Sequence, residues 1–288
     1  MRIAVIGSTG QLGQDLMKTQ PKEHDFTGLK HQDIEVTDPD SFATLKAQKP
    51  DVIINTAAFH KTDQCEDEPL RAFSLNAVGP KNVVAVSKEI GATSVFIGTD
   101  YVFSGSKAQP YVEDDVPDPI NTYGISKLAG EFFTKQNPKH YVFRVASLFG
   151  VAGASGKGGN FVETMLAKAK RNEPISVVGD MWMSPTYTHD AADMIWKILE
   201  KQLPFGIYHL TNGGQCTWFE FTQEIFRLTG LTPDLKMIET SQMPTKTKRP
   251  LYSALKSTKL PAHNLAMRDW REALHAYLLE KGHPLKFA

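Results

Sequence analysis

The chain has 288 residues, of which 41% are hydrophobic and 22% charged, an ordinary composition for a globular protein. Lysine and arginine together number 32, and so do aspartate and glutamate, so no basic excess points to nucleic acid or to an anionic membrane surface. Apolar runs fall well short of the about 20 residues that cross a bilayer, and we expect neither a nucleic acid nor a membrane as partner.

The cysteine content and the N-terminal segment bear on the compartment. The two cysteines, Cys65 and Cys216, have no metal-type spacing, and a chain of this length does not need disulfides to fold. The glycines between Gly7 and Gly13 interrupt the apolar core that a signal peptide would need. We therefore expect a cytoplasmic protein without a metal site.

The first predicted strand, Arg2 to Ile6, runs directly into a glycine-rich loop and then into a helix predicted from Gln11 to Met17. The loop reads G-x-x-G-x-x-G, one residue longer at the start than the common dehydrogenase form. Such a loop lets the backbone approach a pyrophosphate, which the N–H groups of the helix N-terminus then face. The alternative is a turn that uses glycine only for its backbone freedom. The residues predicted to bind a dinucleotide here are Gly7, Gly10, Gln11, Leu12 and Gly13.

The second predicted strand, Asp25 to Leu29, ends where many NAD-binding sites place an acidic residue for the ribose 2′-hydroxyl. This chain has Lys30 there, and the nearest acid is Asp33. A lysine suits the 2′-phosphate of NADPH, so we expect NADPH as cofactor, with NADH as a possible substitute. The alternative is a solvated loop lysine.

A third predicted strand, Asp51 to Asn55, leads into small residues. Ala57 and Ala58 would let a flat ligand approach closely and are predicted to line the cofactor, although tight helix–sheet packing would also favour them. His60, Asp63 and Glu66 follow. A metal or acid–base cluster is the alternative, but their spacing matches no known ligand pattern, and we interpret them as solvated, helix-capping groups.

A fourth strand carries the predicted chemistry. The apolar run from Ser94 to Gly98 predicts a buried strand with Thr99 at its C-terminal end, where open parallel sheets bind ligands. Asn121 predicts the cap of a later helix, on which Tyr123 and Lys127 lie four residues apart and share a face.

This combination suggests acid catalysis at a carbonyl. An ammonium beside a phenol favours the phenolate and lowers the pKa of the tyrosine toward working pH. With the Thr99 hydroxyl holding the carbonyl oxygen, Tyr123 and Lys127 would protonate that oxygen while a hydride reaches the carbon. The structural alternative is a half-buried ring beside the aliphatic stem of a lysine.

Strand and helix alternate until about residue 146, which predicts an α/β fold with a doubly wound, Rossmann-like parallel sheet. We predict a dinucleotide-binding domain over residues 1–150 and a smaller, mainly substrate-binding domain over 151–288, with roughly 174–212 returning to the sheet. A basic loop at 246–250 is either solvated or meets a substrate phosphate through Arg249.

With these residues in order, the chain resembles the extended short-chain dehydrogenase/reductase family and, within it, the dTDP-4-dehydrorhamnose reductases. The likeness covers nearly the full length. It rests on these motifs: Gly7 to Gly13, Asn55 to Ala58, Asp63 with Glu66, Thr99 to Phe103, Tyr123 with Lys127, Gly159 to Val162, Ser184 to Thr186 and Lys248 to Pro250.

The resemblance implies roles for individual residues. Tyr123 would be the proton donor, Lys127 would bind the nicotinamide ribose and tune Tyr123, and Thr99 and Asp100 would hold the sugar. On the substrate side we expect Tyr101, Asn160, Trp182 and Arg249.

The chain departs from the narrower family on the sugar side. Ser147 stands where a tryptophan is usual, His60 stands where a threonine is usual, and residues 180–185 differ from the common pattern. We hypothesise that Trp182 restores the lost aromatic surface from another strand.

The predicted function is NADPH-dependent reduction of the 4-keto group of a nucleotide-linked deoxysugar. One alternative is a nucleotide-sugar epimerase or dehydratase that retains NAD, and another is a non-catalytic regulatory subunit on the same fold. The expected partner is a small-molecule nucleotide sugar, and a homodimer is left open.

Overall fold

The computed structural model describes residues 1–154 and 159–286. Within these residues, the strands are β1 Arg2–Ile6, β2 Asp25–Leu29, β3 Val52–Asn55, β4 Thr93–Thr99, β5 His140–Val145, β6 Leu148–Phe149, β7 Ile175–Val178, β8 Trp182–Met183, β9 Thr186–Tyr187, β10 Gly206–His209, β11 Cys216–Thr217 and β12 Leu235–Ile238.

The α-helices over the same ranges are α1 Gln11–Lys18, α2 Ala43–Gln48, α3 Thr62–Asp67, α4 Pro69–Phe73, α5 Gly79–Ile90, α6 Thr122–Thr134, α7 Phe161–Lys170, α8 Thr188–Glu200, α9 Trp218–Thr229, α10 Lys259–Ala262 and α11 Trp270–Glu280. Short 3₁₀ turns cover Pro39–Phe42, Asp100–Val102 and Thr240–Gln242, and a π turn covers Ser74–Val78.

The main sheet has six parallel strands in the order β10-β5-β4-β3-β1-β2. The chain leaves β1 toward β2 on one side and continues through β3 on the other. The crevice beyond the carboxyl ends of β1 and β3 is therefore the topological switch point, where open α/β sheets bind ligands. The predicted doubly wound parallel sheet is confirmed.

Hydrophobic layers cover both faces of this sheet, because its central strands are apolar runs buried on both sides. On one face α1 and α8 pack together, with Leu16, Ile195 and Ile198 fully buried. On the other face Phe42 and Val83 belong to a second buried cluster. These layers hold the strand ends rigidly at the switch point.

The π turn Ser74–Val78 joins α4 directly to α5, which begins at the Gly79–Pro80 pair. Its Asn76 side chain accepts from the backbone N–H of Phe59 at 2.8 Å and donates to the Ser126 hydroxyl at 3.0 Å. The wide turn thus fastens α6 to the loop that follows β3.

The remaining strands form a smaller lobe beside the main sheet. Within the described residues it contains three two-stranded pairs, β12-β7, β11-β8 and β6-β9, around a core that includes Phe149, Tyr187, Phe221 and Trp270. The predicted return to the main sheet from residue 174 is wrong for Ile175–Val178, because this strand finds its parallel partner in Leu235–Ile238. The chain returns to the main sheet through α8, which packs on α1, and through β10, which pairs with β5.

No helix in the described part of the chain is both long enough and apolar enough to span a membrane.

Candidate active site

A cleft of about 920 Å³ runs across the carboxyl ends of the central strands. It is lined by residues from the glycine turn, from the ends of β3 to β5, and from the smaller lobe. Gly7, Gly10, Gln11, Leu12 and Gly13 all line it. The sequence-predicted dinucleotide residues therefore share one wall of a single cleft.

Close packing within the protein explains two glycines of this turn. Gly7 has a φ of +79°, and a Cβ there would lie 2.5 Å from the Thr56 hydroxyl. A Cβ on Gly13 would lie 2.2 Å from the carbonyl oxygen of Gly7. The turn and α1 therefore pack backbone against backbone, and the first residues of α1 line the cleft.

A buried polar atom at this turn indicates that a ligand binds here. The side-chain Oε1 of Gln11 is buried without a hydrogen-bond partner among the described residues. Such an acceptor costs free energy unless a ligand supplies a donor. The glycine turn and Gln11 together fit a dinucleotide.

At the β2 end of the cleft, Lys30 is exposed and lines the wall. The imidazole Nδ1 of His31 lies 3.4 Å from a carboxylate oxygen of Glu35, and both residues line the same end. On the opposite side Ala57 and Ala58 line the cleft and are partly buried. The small side chains and the lysine thus all lie at the cleft, and their contact with a cofactor stays a prediction.

Thr99 and Asp100 lie at the end of β4, both buried and both lining the cleft. The Thr99 hydroxyl donates to Asp100 Oδ1 at 3.1 Å and accepts from the backbone N–H of Tyr101 at 3.2 Å. Burial raises the pKa of Asp100 to about 6, although hydrogen bonds from Ser253 and Thr99 lower it in part. Because a hydroxyl has one hydrogen, Thr99 in this arrangement donates to Asp100 and not into the cleft.

Tyr123 lies on the first turn of α6, where Asn121 caps the helix by accepting from the backbone N–H of Gly124 at 2.8 Å. Its ring meets that of Tyr101 edge-on, with centroids 5.8 Å apart. Burial raises the pKa of the Tyr123 phenol, and the Thr99 hydroxyl offsets part of that rise. Both phenols line the cleft.

Lys127 also lines the cleft but acts differently from the prediction. Its Nζ donates to the carbonyl oxygen of Ile97 at 2.6 Å and lies 4.0 Å from the centroid of the Phe96 ring. Burial lowers the pKa of Lys127 to about 7, and Glu131 offsets part of that shift. The pKa of Tyr123 is therefore raised by burial, not lowered by a neighbouring ammonium as the spacing predicted.

On the smaller-lobe side Asn160 lines the cleft, but its side chain is already used within the protein. Its Oδ1 caps α7 by accepting from the backbone N–H of Glu163, and its Nδ2 donates to the Gly150 carbonyl and the Tyr277 hydroxyl. Its amide therefore shapes this wall, and a direct hydrogen bond to a ligand would compete with these contacts.

Trp182 and Arg249 do not line the cleft. Trp182 stacks on Tyr252, with ring centroids 6.0 Å apart. Besides Tyr101 and Tyr123, the aromatic side chains that line the cleft are Phe161 and Trp218, whose ring centroids are 4.5 Å apart. Trp218 escaped the sequence analysis because it opens a helix far along the chain, with no motif to connect it to this site.

The basic loop is fastened to α3 rather than free in solvent. The Arg249 guanidinium lies 3.5 Å from Asp63 Oδ2 and donates to the Thr62 hydroxyl at 3.2 Å. Hydrogen bonds from Thr247 and Thr245 outweigh desolvation and lower the pKa of Asp63 to about 2. Burial raises the pKa of Tyr101 to about 12, and Arg249 of this loop offsets part of that rise.

The other acid of this segment also has a structural use. Glu66 accepts from the backbone N–H of Thr122 at 2.9 Å and from its hydroxyl, at the start of α6. The interpretation as a capping group therefore fits Glu66, whereas Asp63 accepts hydrogen bonds from Thr245 and Thr247 of the basic loop. Among residues 1–154 and 159–286, no cluster of histidine, cysteine, aspartate and glutamate has the arrangement of a metal site.

Ser147 lies at the end of β5 and lines the cleft with a backbone φ of +44°, a conformation that non-glycine residues seldom adopt. The position that departs from the family pattern thus places a small polar side chain in the cleft wall. Ser253, which approaches Asp100 from the smaller lobe, is a second residue that no local sequence signal could have found.

Comparison with known proteins gives consistent results. A family model described as "RmlD substrate binding domain" matches residues 1–282. The spore coat polysaccharide biosynthesis protein SpsK of Bacillus subtilis is 37% identical over 97% of this chain and 98% of its own. The dTDP-4-dehydrorhamnose reductase of Salmonella typhimurium is 34% identical over 97% of this chain and 98% of its own.

Among solved structures, the dTDP-4-dehydrorhamnose reductase of Bacillus anthracis in complex with NADP superposes with a TM-score of 0.91. It is 36% identical and covers 97% of this chain and 99% of its own. A UDP-glucose 4-epimerase of Thermotoga maritima has a TM-score of 0.83 at 18% identity, over 98% of each chain, and shows the shared fold only.

Proposed function

The chain belongs to the dTDP-4-dehydrorhamnose reductase family, and we propose that it reduces the 4-keto group of a nucleotide-linked deoxysugar with NADPH. The family membership agrees with the resemblance seen in the sequence. The observation that carries the proposal is the convergence of Tyr123, Thr99 and Asp100 on the cleft that begins at the glycine turn. The NADP complex of the Bacillus anthracis relative supports the cofactor.

The proposed proton donor is Tyr123. Because burial raises the pKa of its phenol, the hydroxyl keeps its proton at neutral pH until an acceptor arrives. NADPH, when bound, supplies the hydride that the carbonyl carbon accepts. Tyr123 gives its proton to the carbonyl oxygen, so the product is an alcohol and the phenol is left to regain a proton.

The proposed positioning roles follow from the same geometry. Lys127 is held by the Ile97 carbonyl with its ammonium at the cleft wall, where it would meet a ribose hydroxyl of the cofactor. Gly7 and the backbone N–H groups of the first turn of α1, which begins at Gln11, would hold the pyrophosphate, and Lys30 would hold the 2′-phosphate. Thr99, Asp100 and Tyr101 would orient the sugar.

The test is an assay of NADPH consumption by the purified protein with a dTDP-4-keto-6-deoxyhexose, with product identification by NMR. We expect one NADPH to be consumed for each ketone that is reduced to the alcohol. Without the sugar we expect no NADPH consumption. An enzyme that purifies with tightly bound NAD and interconverts sugars without net NADPH loss would be an epimerase, which would contradict the proposal. Absence of any turnover with intact NADPH binding would indicate a non-catalytic role.

We also propose a homodimer and a cytoplasmic location. The exposed apolar side chains of α4, the following π turn and α6 support a protein contact there: Phe73, Val78, Ile125 and Phe132. Cys65 and Cys216 are both buried free thiols, as expected in a reducing compartment. Light scattering after size exclusion would test the dimer, and a monomeric mass at micromolar concentration would contradict it.

A further inference from the structure

A hydroxyl group of the smaller lobe donates a hydrogen bond to a carboxylate of the candidate active site. Ser253 Oγ donates to Asp100 Oδ2 at 2.5 Å, and both residues are about 4% exposed. The two residues are 153 positions apart in the chain. Asp100 lines the cleft, so this contact lies against the space where the sugar would bind.

Backbone contacts on both sides hold Ser253 in place. Its own N–H donates to the Trp182 carbonyl at 2.9 Å, and the next carbonyl, that of Ala254, accepts from the N–H of Tyr111 at 2.9 Å. The backbone that carries the Ser253 hydroxyl is therefore fixed in position beside Asp100.

The two oxygens of Asp100 have different neighbours. Oδ2 accepts from Ser253, and Oδ1 accepts from Thr99 at 3.1 Å. On the premise of the proposed reductase function, we propose that Ser253 is a positioning residue of the proton-donating site. By donating to Oδ2, it leaves Oδ1 as the oxygen that carries a proton, and so it sets the direction in which the Thr99 hydroxyl points.

The consequence for Thr99 is a choice between two hydrogen-bond patterns. When Asp100 is ionised, the single hydrogen of Thr99 goes to Oδ1 and is lost to the substrate. When Asp100 takes up a proton from water on Oδ1, it donates to Thr99 Oγ1, and the Thr99 hydrogen turns toward the carbonyl oxygen. The acid form of Asp100 is therefore the active one.

Other titratable groups line the same cleft, among them Lys127, whose pKa burial lowers to about 7. Tyr101 and Tyr123 face Asp100, and burial raises the pKa of both phenols, so they are neutral near neutral pH. Asp63 and Arg249 also affect the pKa of Tyr101, and Cys65 affects the pKa of Tyr123. These groups are common to the wild type and every variant below, so a shift seen on changing Ser253 reports on its own contact.

The first test replaces Ser253 with alanine and compares the pH profiles of kcat and KM. We expect the kcat plateau at low pH, where Asp100 is protonated, to fall roughly tenfold because the proton can then reside on Oδ2, with KM nearly unchanged. The fall in rate at high pH should move to higher pH, because the Asp100 carboxylate loses a donor and its pKa rises further. Ser253→Thr, which keeps a hydroxyl, should restore the wild-type profile.

Ser257 provides a matched control on the same segment. Its hydroxyl donates to another buried carboxylate, Glu113 Oε1, at 2.6 Å. Ser257→Ala therefore removes an equivalent hydrogen bond away from the cleft and should leave the pH profile of kcat unchanged. An equal shift in Ser257→Ala, or no shift in Ser253→Ala, would overturn the proposal.

A second measurement does not depend on turnover. Infrared titration of the ligand-free protein follows the protonated carboxyl band of Asp100, assigned as the band that Asp100→Asn removes. In Ser253→Ala this band should titrate at higher pH than in the wild type, and an unchanged titration would overturn the inference. Absence of sugar reduction by the wild type would instead refute the proposed function and leave this titration valid.

Discussion

At the residue scale, Lys127 and Tyr123 show how burial alters the chemistry of a familiar pair. Their spacing alone predicts an ammonium that makes the phenol more acidic. In the structure burial raises the pKa of Tyr123 and lowers that of Lys127 to about 7, because each charged form loses water. A phenol that keeps its proton is suited to donating it to a carbonyl oxygen, which is the direction a reductase requires.

Replacing Tyr123 with phenylalanine should lower kcat by about 10²–10⁴-fold, because the proton donor is lost while the ring packing is kept. Steady-state NADPH consumption measures this loss, and fluorescence titration should show NADPH binding nearly intact. Tyr208→Phe is the control, since its hydroxyl donates to the Pro204 carbonyl away from the cleft. Near-normal turnover in Tyr123→Phe would exclude this residue as the donor.

The choice of cofactor should depend on Lys30. Lys30→Ala should weaken NADPH binding by about tenfold and leave NADH binding nearly unchanged, because only the 2′-phosphate pairs with the ammonium. Titration of each cofactor measures the ratio of the two affinities. Lys22→Ala, which removes an exposed lysine outside the cleft, should leave that ratio unaltered. An equal loss for both cofactors would refute the 2′-phosphate contact.

At the element scale, the strand–turn–helix unit formed by β1, the glycine turn and α1 is determined mostly by local geometry. Gly7 needs a positive φ, and Gly13 needs the absence of a side chain. A short apolar strand followed by these glycines therefore predicts both the turn and its ligand class. The same holds for α6, whose first turn is set by the Asn121 cap.

Gly13→Ala should disrupt this element. The new Cβ would lie 2.2 Å from the Gly7 carbonyl oxygen, so the turn must move. We expect NADPH affinity to fall more than tenfold and the free energy of unfolding to fall by about 1–3 kcal/mol. Gly213→Ala is a suitable control, because its Cβ would meet only ordinary contacts, the nearest at 3.5 Å. Unchanged cofactor affinity in Gly13→Ala would contradict the assignment of this turn.

At the scale of the whole molecule, a network of buried charged and polar side chains connects strands β5 and β10 of the main sheet with α6 and with the loop that carries Glu113. Arg144 on β5 donates to both carboxylate oxygens of Glu131 on α6, at 2.9 and 2.8 Å. His209 on β10 lies 3.5 Å from Arg144, and its backbone N–H donates to Glu113 at 3.1 Å. Burial lowers the pKa of His209, so the folded protein holds it neutral.

This burial predicts a loss of stability in acid. The unfolded chain binds a proton on His209 at a pKa near 6.5, above the folded value, so the free energy of unfolding falls as pH drops below about 6.5. Asp100 has the opposite sign, since its pKa of about 6 exceeds its ordinary value. Comparison with His209→Gln cancels that contribution, because Asp100 is present in both proteins.

Urea unfolding between pH 7 and pH 5 should therefore show a steeper loss of stability in the wild type than in His209→Gln. His263→Gln, at a partly exposed position, should follow the wild type. Parallel pH dependences for the wild type and His209→Gln would show that this histidine does not contribute to acid sensitivity.

The sequence alone determined the parallel sheet, the glycine turn, the capped helix with Tyr123 and Lys127, and the family. Each of these depends on residues a few positions apart, whose spacing fixes a turn, a face or a cap. Only the tertiary structure decided that Ser253 meets Asp100, that Ile175–Val178 pairs outside the main sheet, and that Trp182 lies away from the cleft. It also decided the direction of each pKa shift. These outcomes depend on which distant segments exclude water from one another, and no local spacing encodes that.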